Sequence, residues 1–129
     1  MASLQKTKVT GVSKLRKLLT QITVRGKKKG DLKKLIGDNN VLVLSKSWCP
    51  YCAEAKKILK SYNLTGLTIL ELDEISEGSS LQSEALSLTG QRTVPSIWIG
   101  GKHIGGCDDL RSIPVDTLKQ KLTDAGALV

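Results

Sequence analysis

Short apolar runs alternate with stretches of helical periodicity along most of the chain. The apolar run 41–44 lies between turn-forming residues, which predicts a strand buried on both faces of a sheet. Apolar residues then recur every three or four positions over residues 52–62. This spacing predicts a helix that begins near Pro50 and ends at Asn63 and Gly66. The first strand therefore leads directly into a helix.

Further elements follow in the same alternation. Residues 67–72 alternate partially in polarity and predict a second strand, and residues 79–88 have the spacing of a second helix that ends before Gly90. Two more runs, 94–99 and 102–104, flank a Gly-Gly pair, which is typical of a tight β-hairpin. The order is β-α-β, then a helix, then a hairpin.

Helices are predicted at both ends of this region. A short helix is expected over residues 31–36, with Asp31 as its N-cap and Gly37 just past its end. After the hairpin, the pair Asp108-Asp109 opens a terminal helical region that Pro114 divides in two. A right-handed crossover makes the first two strands parallel, and the hairpin adds antiparallel strands. The predicted fold class is α/β, with a mixed four-stranded sheet flanked by helices on both faces.

The positive charge is concentrated at the start of the chain. Residues 1–30 contain nine Lys and Arg and no acidic residue, whereas residues 31–129 contain 11 Lys and Arg against 12 Asp and Glu. We therefore divide the chain into a basic N-terminal extension and a nearly neutral domain. Without a basic face in the domain, a nucleic-acid partner is not expected. No apolar run approaches the roughly 18 residues that span a bilayer, so no membrane partner is expected either.

The extension has three open interpretations. It could be a solvated, partly helical segment. Its apolar residues at helical spacing, together with the lack of acids, also suit a mitochondrial transit peptide, although Lys outnumbers Arg. The Lys27-Lys28-Lys29 run could instead be a weak nuclear or anionic-surface patch. Because no secretory signal is recognisable, we expect a cytoplasmic protein, with the mitochondrion as the alternative.

Two of the three cysteines form the sequence Cys-Pro-Tyr-Cys between the first strand and its helix. Pro50 suits the first position of a helix. The free N–H groups and the dipole at that helix start favour a thiolate at Cys49, and Lys46 could add positive charge nearby. Cys52, one turn further on and pointing inward, could then attack a mixed disulfide formed by Cys49. The spacing therefore predicts a redox pair with an attacking and a resolving sulfur.

A structural zinc site is the alternative chemistry for these cysteines. His103 and Cys107 could supply a second pair of ligands beside Cys49 and Cys52. The proline inside the Cys-x-x-Cys turn and its place between strand and helix favour redox chemistry, so we expect no metal. A buried and inert dithiol, in a domain that only binds partners, is a further alternative.

Three sequence blocks together resemble the dithiol class of the glutaredoxins. They are Cys49-Pro50-Tyr51-Cys52, Thr93-Val94-Pro95 and Gly105-Gly106-Cys107-Asp108-Asp109. The resemblance covers roughly residues 31–125. It implies a thioredoxin-like fold and a glutathione-dependent oxidoreductase that reduces protein disulfides and glutathionylated protein thiols. It also implies glutathione, or a related small thiol, as co-substrate, and a monomeric protein.

The resemblance further implies a glutathione groove beside Cys49. Lys46 would pair with the glycyl carboxylate of glutathione, with Gln82 and Arg92 as further partners. Gln82 also fits a capping box with Ser79, which would explain it locally. Trp48 could form a wall of the groove, but packing is the favoured interpretation.

The other end of the groove is implied to use mainly backbone groups. A cis Val94-Pro95 bond would turn the Val94 backbone towards the cysteinyl part of glutathione, and Gly106 would let the chain pass close to it. Backbone N–H groups of Cys107 and Asp108 would hold the γ-glutamyl carboxylate, and Asp108 or Asp109 would accept from the amine. The predicted set is completed by Tyr51 and Thr93.

Three features stay open at this point. Cys107 is either a small apolar filler or a regulatory thiol. His103 is expected to be an exposed hairpin residue without a role as a base. In some glutaredoxins the first active-site cysteines of two subunits hold a [2Fe–2S] cluster with two glutathiones. Pro50 stiffens the turn as in the poorer cluster binders, so cluster carriage is the alternative function.

Overall fold

The computed structural model describes residues 31–128 and forms four strands and five helices there. The strands are β1 (Val41–Ser45), β2 (Leu67–Glu71), β3 (Ser96–Ile99) and β4 (Lys102–Gly105). The helices are α1 (Leu32–Asp38), α2 (Pro50–Lys60), α3 (Gly78–Thr89), α4 (Cys107–Ser112) and α5 (Val115–Asp124). The predictions for residues 1–30 lie outside the described residues.

The four strands form one mixed sheet in the order β2-β1-β3-β4. Strand β1 pairs in parallel with β2 and antiparallel with β3, and β3 pairs antiparallel with β4. The predicted fold class, with parallel first strands and an added hairpin, is confirmed. Strand β1 lies inside the sheet, and all five of its residues are buried. Its carboxyl end therefore fixes the position of the loop that leads to α2.

Two apolar cores cover the two faces of the sheet. Val41 and Val43 of β1 pack with residues of α2, α4 and α5. The alternate residues Leu42 and Leu44 pack with residues of α1 and α3. Successive strand residues point to opposite faces, so the apolar run of β1 serves both cores. Helix α2, which carries the Cys-Pro-Tyr-Cys sequence, therefore lies on the same face as α4 and α5.

Helix α1 begins at the predicted N-cap residue but ends later than predicted. It continues to Asp38, so Gly37 lies inside it rather than beyond it. Asp31 is at the N-cap position, but within the described residues its side chain makes no capping hydrogen bond. Instead, the Leu32 N–H donates to Glu84 Oε1 of α3 at 2.9 Å. A side chain distant in sequence thus caps this helix, which local sequence patterns do not reveal.

The starts of α3 and β3 also differ from prediction. Helix α3 begins at Gly78 with Glu77 at the N-cap position, so Ser79 lies inside the helix and the predicted capping box with Gln82 is wrong. Strand β3 begins at Ser96, two residues later than predicted, because Pro95 has no backbone N–H to donate to a neighbouring strand. The Val94-Pro95 bond is cis, as the resemblance implied. None of the helices among residues 31–128 has both the length and the apolar character needed to span a membrane.

Candidate active site

Cys49 occupies the N-cap position of α2, at the end of the loop that follows β1. Its backbone is extended, with φ −85° and ψ 122°, and Pro50 provides the first helical residue. The Cys49 N–H donates to the Lys46 carbonyl at 3.1 Å, and the Cys49 carbonyl accepts from the Ala53 N–H at 3.0 Å. The sulfur therefore sits at the helix end where N–H groups have no helical acceptor.

The surroundings of Cys49 favour its thiolate. Burial raises the pKa of Cys49, but this effect is outweighed by hydrogen bonds from the Cys52 N–H and thiol and from the Tyr51 N–H. The charge of Lys56 adds to them, and the pKa of Cys49 lies below its ordinary value. A lowered pKa raises the fraction of the nucleophilic thiolate at neutral pH.

Cys52 has the opposite character. It is fully buried on the inner face of α2. Burial raises the pKa of Cys52, and its hydrogen bonding with the Lys46 backbone only partly offsets this. Neither residue is in a disulfide, so the structure is that of the reduced protein. The pair is therefore asymmetric: Cys49, which is 8% exposed, has the lowered pKa, and Cys52, which is fully enclosed, has the raised one.

An open groove of about 500 Å³ lies beside the start of α2. Eight of the eleven residues predicted for glutathione binding line it: Tyr51, Thr93, Val94, Pro95, Gly106, Cys107, Asp108 and Asp109. Elements distant in sequence thus meet here, namely the first turn of α2, the segment before β3 and the start of α4. The groove brings together the three sequence blocks on which the resemblance was based.

Three predicted residues lie outside the lining of this groove. Lys46 extends its ammonium group over Trp48, with Nζ 5.9 Å from the ring centroid. Gln82 donates from Nε2 to the Arg92 carbonyl at 2.8 Å, and the Arg92 side chain is exposed. Trp48 is 69% exposed, so the favoured interpretation of a packed residue is wrong.

Gln91 lines the groove, although sequence analysis assigned it no role. Its Nε2 donates to the carbonyls of Thr93 and Pro95, at 3.0 Å in each case. Side-chain amides carry two donor hydrogens, and both are used here to hold the segment that precedes β3. One sequence signal could have indicated this role. Gln91 carries an amide just before a turn, and the backbone carbonyls of a turn need hydrogen-bond donors that no neighbouring strand provides.

The start of α4 closes the groove on the other side. The Gly106 N–H donates to Asp109 Oδ2 at 2.9 Å, so one oxygen of that carboxylate caps the helix. Asp108 is exposed, and its carboxylate is free to face a ligand apart from a long contact of 4.0 Å to Arg111. Cys107 is buried in the core beside Leu110, and burial raises the pKa of the Cys107 thiol. This is the environment of an apolar filler.

The ligands considered for zinc are not assembled. Within residues 31–128, no three His, Cys, Asp or Glu side chains are placed to hold a metal ion. His103 Nε2 lies 3.0 Å from Ser96 Oγ, and the imidazole ring lies 4.9 Å from the ring of Trp98. His103 is half-buried between these neighbours on the sheet, so the prediction of an exposed hairpin residue is wrong.

Comparisons with known proteins agree on one family. A family model described as Glutaredoxin matches residues 41–104. The chain is 45% identical over 95 residues to a glutaredoxin of Vernicia fordii, covering 73% of this chain and 90% of that relative. It is 43% identical to Glutaredoxin-C2 of Arabidopsis thaliana, covering 74% and 86%. The crystal structure of a buckwheat glutaredoxin–glutathione complex matches with a TM-score of 0.70 at 40% identity, covering 75% and 88%.

Proposed function

The chain belongs to the glutaredoxin family, and we propose that it is a glutathione-dependent thiol–disulfide oxidoreductase of the dithiol class. The family supports oxidoreductase activity as such. One observation carries the finer proposal: Cys49 has a lowered pKa at the start of α2, whereas Cys52, one turn away, is buried with a raised pKa. This asymmetry suits two sulfurs with different tasks.

The first step uses Cys49 alone. Its thiolate attacks one sulfur of a protein disulfide or of a protein–glutathione mixed disulfide. The substrate S–S bond breaks, a new disulfide to Cys49 forms, and the leaving sulfur departs as a thiolate that takes up a proton. When glutathione remains on Cys49, a second glutathione thiolate attacks it. This releases glutathione disulfide and restores the Cys49 thiolate, with the two electrons supplied by glutathione.

Protein disulfides follow a second route through Cys52. When a protein remains bound to Cys49, the Cys52 thiol loses its proton and attacks the Cys49 sulfur. The Cys49–Cys52 disulfide forms, and the protein leaves with its second sulfur reduced. Two glutathione molecules then reduce this disulfide and become glutathione disulfide. The raised pKa of Cys52 keeps it a thiol until this step, which limits premature attack.

The groove supports glutathione as the small thiol. The tripeptide has two carboxylates, one amine and two amides, so it needs cations or N–H donors and an acceptor for the amine. Asp108 and Asp109 line the groove at the start of α4 and can accept from the amine. The related buckwheat protein was crystallised with glutathione. We propose that Lys46 and Arg92, which lie outside the groove lining, supply the cations for the glycyl carboxylate.

Two substitutions test the division of roles. Cys49→Ser should abolish both the reduction of a glutathionylated peptide and the reduction of an intramolecular protein disulfide. Cys52→Ser should keep the first activity and lose most of the second. Lys57→Met, which changes an exposed residue outside the pair and outside the groove lining, serves as the control and should keep both activities. Equal losses in the Cys49 and Cys52 variants would refute the division.

Cluster carriage gives a different result with the wild-type protein. Protein purified anaerobically with glutathione should be colourless and elute as a monomer if catalysis is its function. A brown dimer with visible absorption would favour the [2Fe–2S] carrier instead.

The compartment is part of the same proposal. We propose that the protein is cytoplasmic. The mitochondrion is the alternative, because residues 1–30 are basic and free of acids, as in a transit peptide. A fluorescent protein fused after residues 1–30 should stay cytoplasmic, and import into mitochondria would support the alternative.

A further inference from the structure

A largely buried ion pair lies between α2 and β2, on the face of the sheet that carries the redox pair. Lys56 Nζ lies 2.6 Å from Glu71 Oε2, and only 17% and 22% of these side chains are exposed. In the surface pair Lys34–Asp38 the corresponding values are 68% and 59%. Burying two charges costs solvation energy, and apolar residues often stabilise such positions equally well. Stability therefore does not by itself account for this pair.

The helical position of Lys56 places it on the same side of α2 as Cys49. Seven residues separate the two, which is about two turns, so they lie within roughly 20° of each other around the axis of α2. Side chains on a helix lean towards its N-terminus, and that is the end at which Cys49 sits. Lys57, the next residue, is rotated by about 100° and is exposed.

Glu71 restrains Lys56 at this end of the helix. It is the last residue of β2 and is aligned with Ser45, the last residue of β1. Aligned residues of neighbouring strands project to the same face. Val43 of β1 packs under α2, and Ser45, two residues further along the strand, points to the same face. Glu71, which is aligned with Ser45, therefore also faces α2. The carboxylate thus lies beneath the first two turns of α2.

This space is polar and largely shielded from solvent. Glu71 Oε1 and Ser45 Oγ are both buried, and neither has a hydrogen-bond partner among residues 31–128. Ser45 is fully buried at the end of β1 that faces the first turns of α2. A charge held in such a space is screened by salt far less than one on the surface. The cation of Lys56 can therefore act on the redox pair from inside the protein.

We propose that Lys56 is a positioning residue for the redox chemistry, whose buried ammonium group, held by Glu71, stabilises the thiolate of Cys49. The inference rests on the proposed function, in which that thiolate attacks the substrate. The electrostatics of the site agree, because the charge of Lys56 is one of the contributions that lower the pKa of Cys49. Among the titratable neighbours, burial raises the pKa of Cys52 and of Cys107, so both stay neutral at pH 7. Lys46 directs its ammonium group to the Trp48 ring.

The test is a pH titration of Cys49 alkylation by iodoacetamide, followed by mass spectrometry of the peptide that contains it. Lys56→Met should raise the pKa of Cys49, so that alkylation at pH 6 slows by roughly fivefold, the scale of a partly screened charge–charge interaction. Lys56→Arg keeps the charge and should titrate like the wild type. Lys57→Met removes a charge from the neighbouring exposed position and should also leave the titration unchanged.

A second variant separates this effect from damage to the fold. Lys56→Met alone leaves the Glu71 carboxylate buried without its partner, which can destabilise the protein. Lys56→Met/Glu71→Gln removes both charges, so it leaves no unpaired buried charge and should fold. Its Cys49 alkylation should be slower than in the wild type but faster than in Lys56→Met, because the loss of the Glu71 charge partly offsets the loss of the Lys56 charge. A titration like that of the wild type in this double variant would overturn the inference, as would an equal shift in Lys57→Met.

The outcome for the wild type distinguishes the inference from the proposed function. If wild-type Cys49 titrates like an ordinary thiol, the proposed function fails. If it is acidic and the Lys56 variants do not change it, the function stands and only the role of Lys56 is refuted.

Discussion

Ser47 binds the carboxylate of Asp73 through both its backbone and its side chain. The Ser47 N–H donates to Oδ1 at 2.9 Å, and the Ser47 hydroxyl donates to Oδ2. The Ser47 loop leads from β1 to Cys49, and Asp73 lies just after β2. Two neighbouring strands thus end in segments that are tied together. The tie fixes the loop that delivers the attacking sulfur to the start of α2.

Asp73→Asn should loosen this loop. The amide keeps one acceptor but loses the charge that strengthens both hydrogen bonds. We expect the Ser47 amide hydrogen to exchange with solvent several-fold faster, measured by NMR-detected hydrogen exchange. The matched control is Glu74→Gln, which removes a neighbouring exposed charge and should leave that rate unchanged. Equal exchange rates in the wild type and Asp73→Asn would contradict the role assigned to the tie.

The same carboxylate should give the protein a stability that depends on pH. The Ser47 hydroxyl and then the Ser47 N–H hold the pKa of Asp73 below its ordinary value. The unfolded chain therefore binds a proton at a higher pH than the folded protein does. The contribution is fully present above the unfolded pKa of about 3.9 and is lost as the pH falls through the lower folded value.

Urea unfolding of the wild type and Asp73→Asn at several pH values measures this contribution. The difference in unfolding free energy between the two should be constant near neutral pH and should shrink below about pH 4. A difference that stays the same down to pH 2 would show that the carboxylate is not linked to folding in this way.

Local sequence signals predicted the elements that depend on neighbouring residues. The alternation of Val43 and Leu44 between two cores follows from the two-residue period of a strand, and Pro50 at the start of α2 follows from its missing N–H. The start of α3 depends on a contact instead. Gly78 lies so close to the Leu72 backbone that a Cβ would overlap its carbonyl. Helix α3 therefore begins before the predicted capping serine.

The candidate site shows the same division between local and distant causes. The Cys-Pro-Tyr-Cys turn is a local signal, because its residues lie on one helix turn. The roles of Lys56 and Gln91 depend on partners whose positions only the fold sets. Glu71 lies 15 residues away on another element, and the carbonyl of Pro95 accepts from Gln91 only once the segment turns before β3. Sequence patterns carry no information on such contacts.

Gln91→Ala should weaken glutathione binding without changing the redox pair. It removes both donors to the Thr93 and Pro95 carbonyls, which leaves the segment that lines the groove less restrained. The loss of one or two hydrogen bonds predicts that KM for a glutathionylated peptide rises roughly three- to tenfold. The pKa of Cys49 should stay as in the wild type, because Gln91 acts on the groove and not on the sulfur.

Gln120→Ala provides the control for this substitution. Gln120 is exposed on α5, where its amide bonds to Asp124, and its loss should leave KM unchanged. An unchanged KM in Gln91→Ala as well would show that the amide does not support the binding groove.

Gly105→Ala and Gly101→Ala form a matched pair that tests the close approach at the groove. Both glycines have positive φ, 119° for Gly105 and 81° for Gly101, so alanine should cost about 1–3 kcal/mol of stability at either position. A Cβ on Gly105 would overlap the Asp109 carboxylate, which caps α4 and lines the groove. A Cβ on Gly101 would meet no atom within 4 Å among the described residues.

The two variants should therefore separate in activity, although both lose stability. Gly105→Ala must displace the Asp109 carboxylate from the Gly106 N–H, because a short side chain cannot give way without moving its oxygens. We expect KM for a glutathionylated peptide to rise several-fold in Gly105→Ala and to stay at the wild-type value in Gly101→Ala. Denaturant unfolding measures the loss of stability that both variants share. The kinetics of peptide deglutathionylation measure the difference in KM between them. If both variants raise KM equally, general loosening of the hairpin, and not the displaced carboxylate, controls the groove.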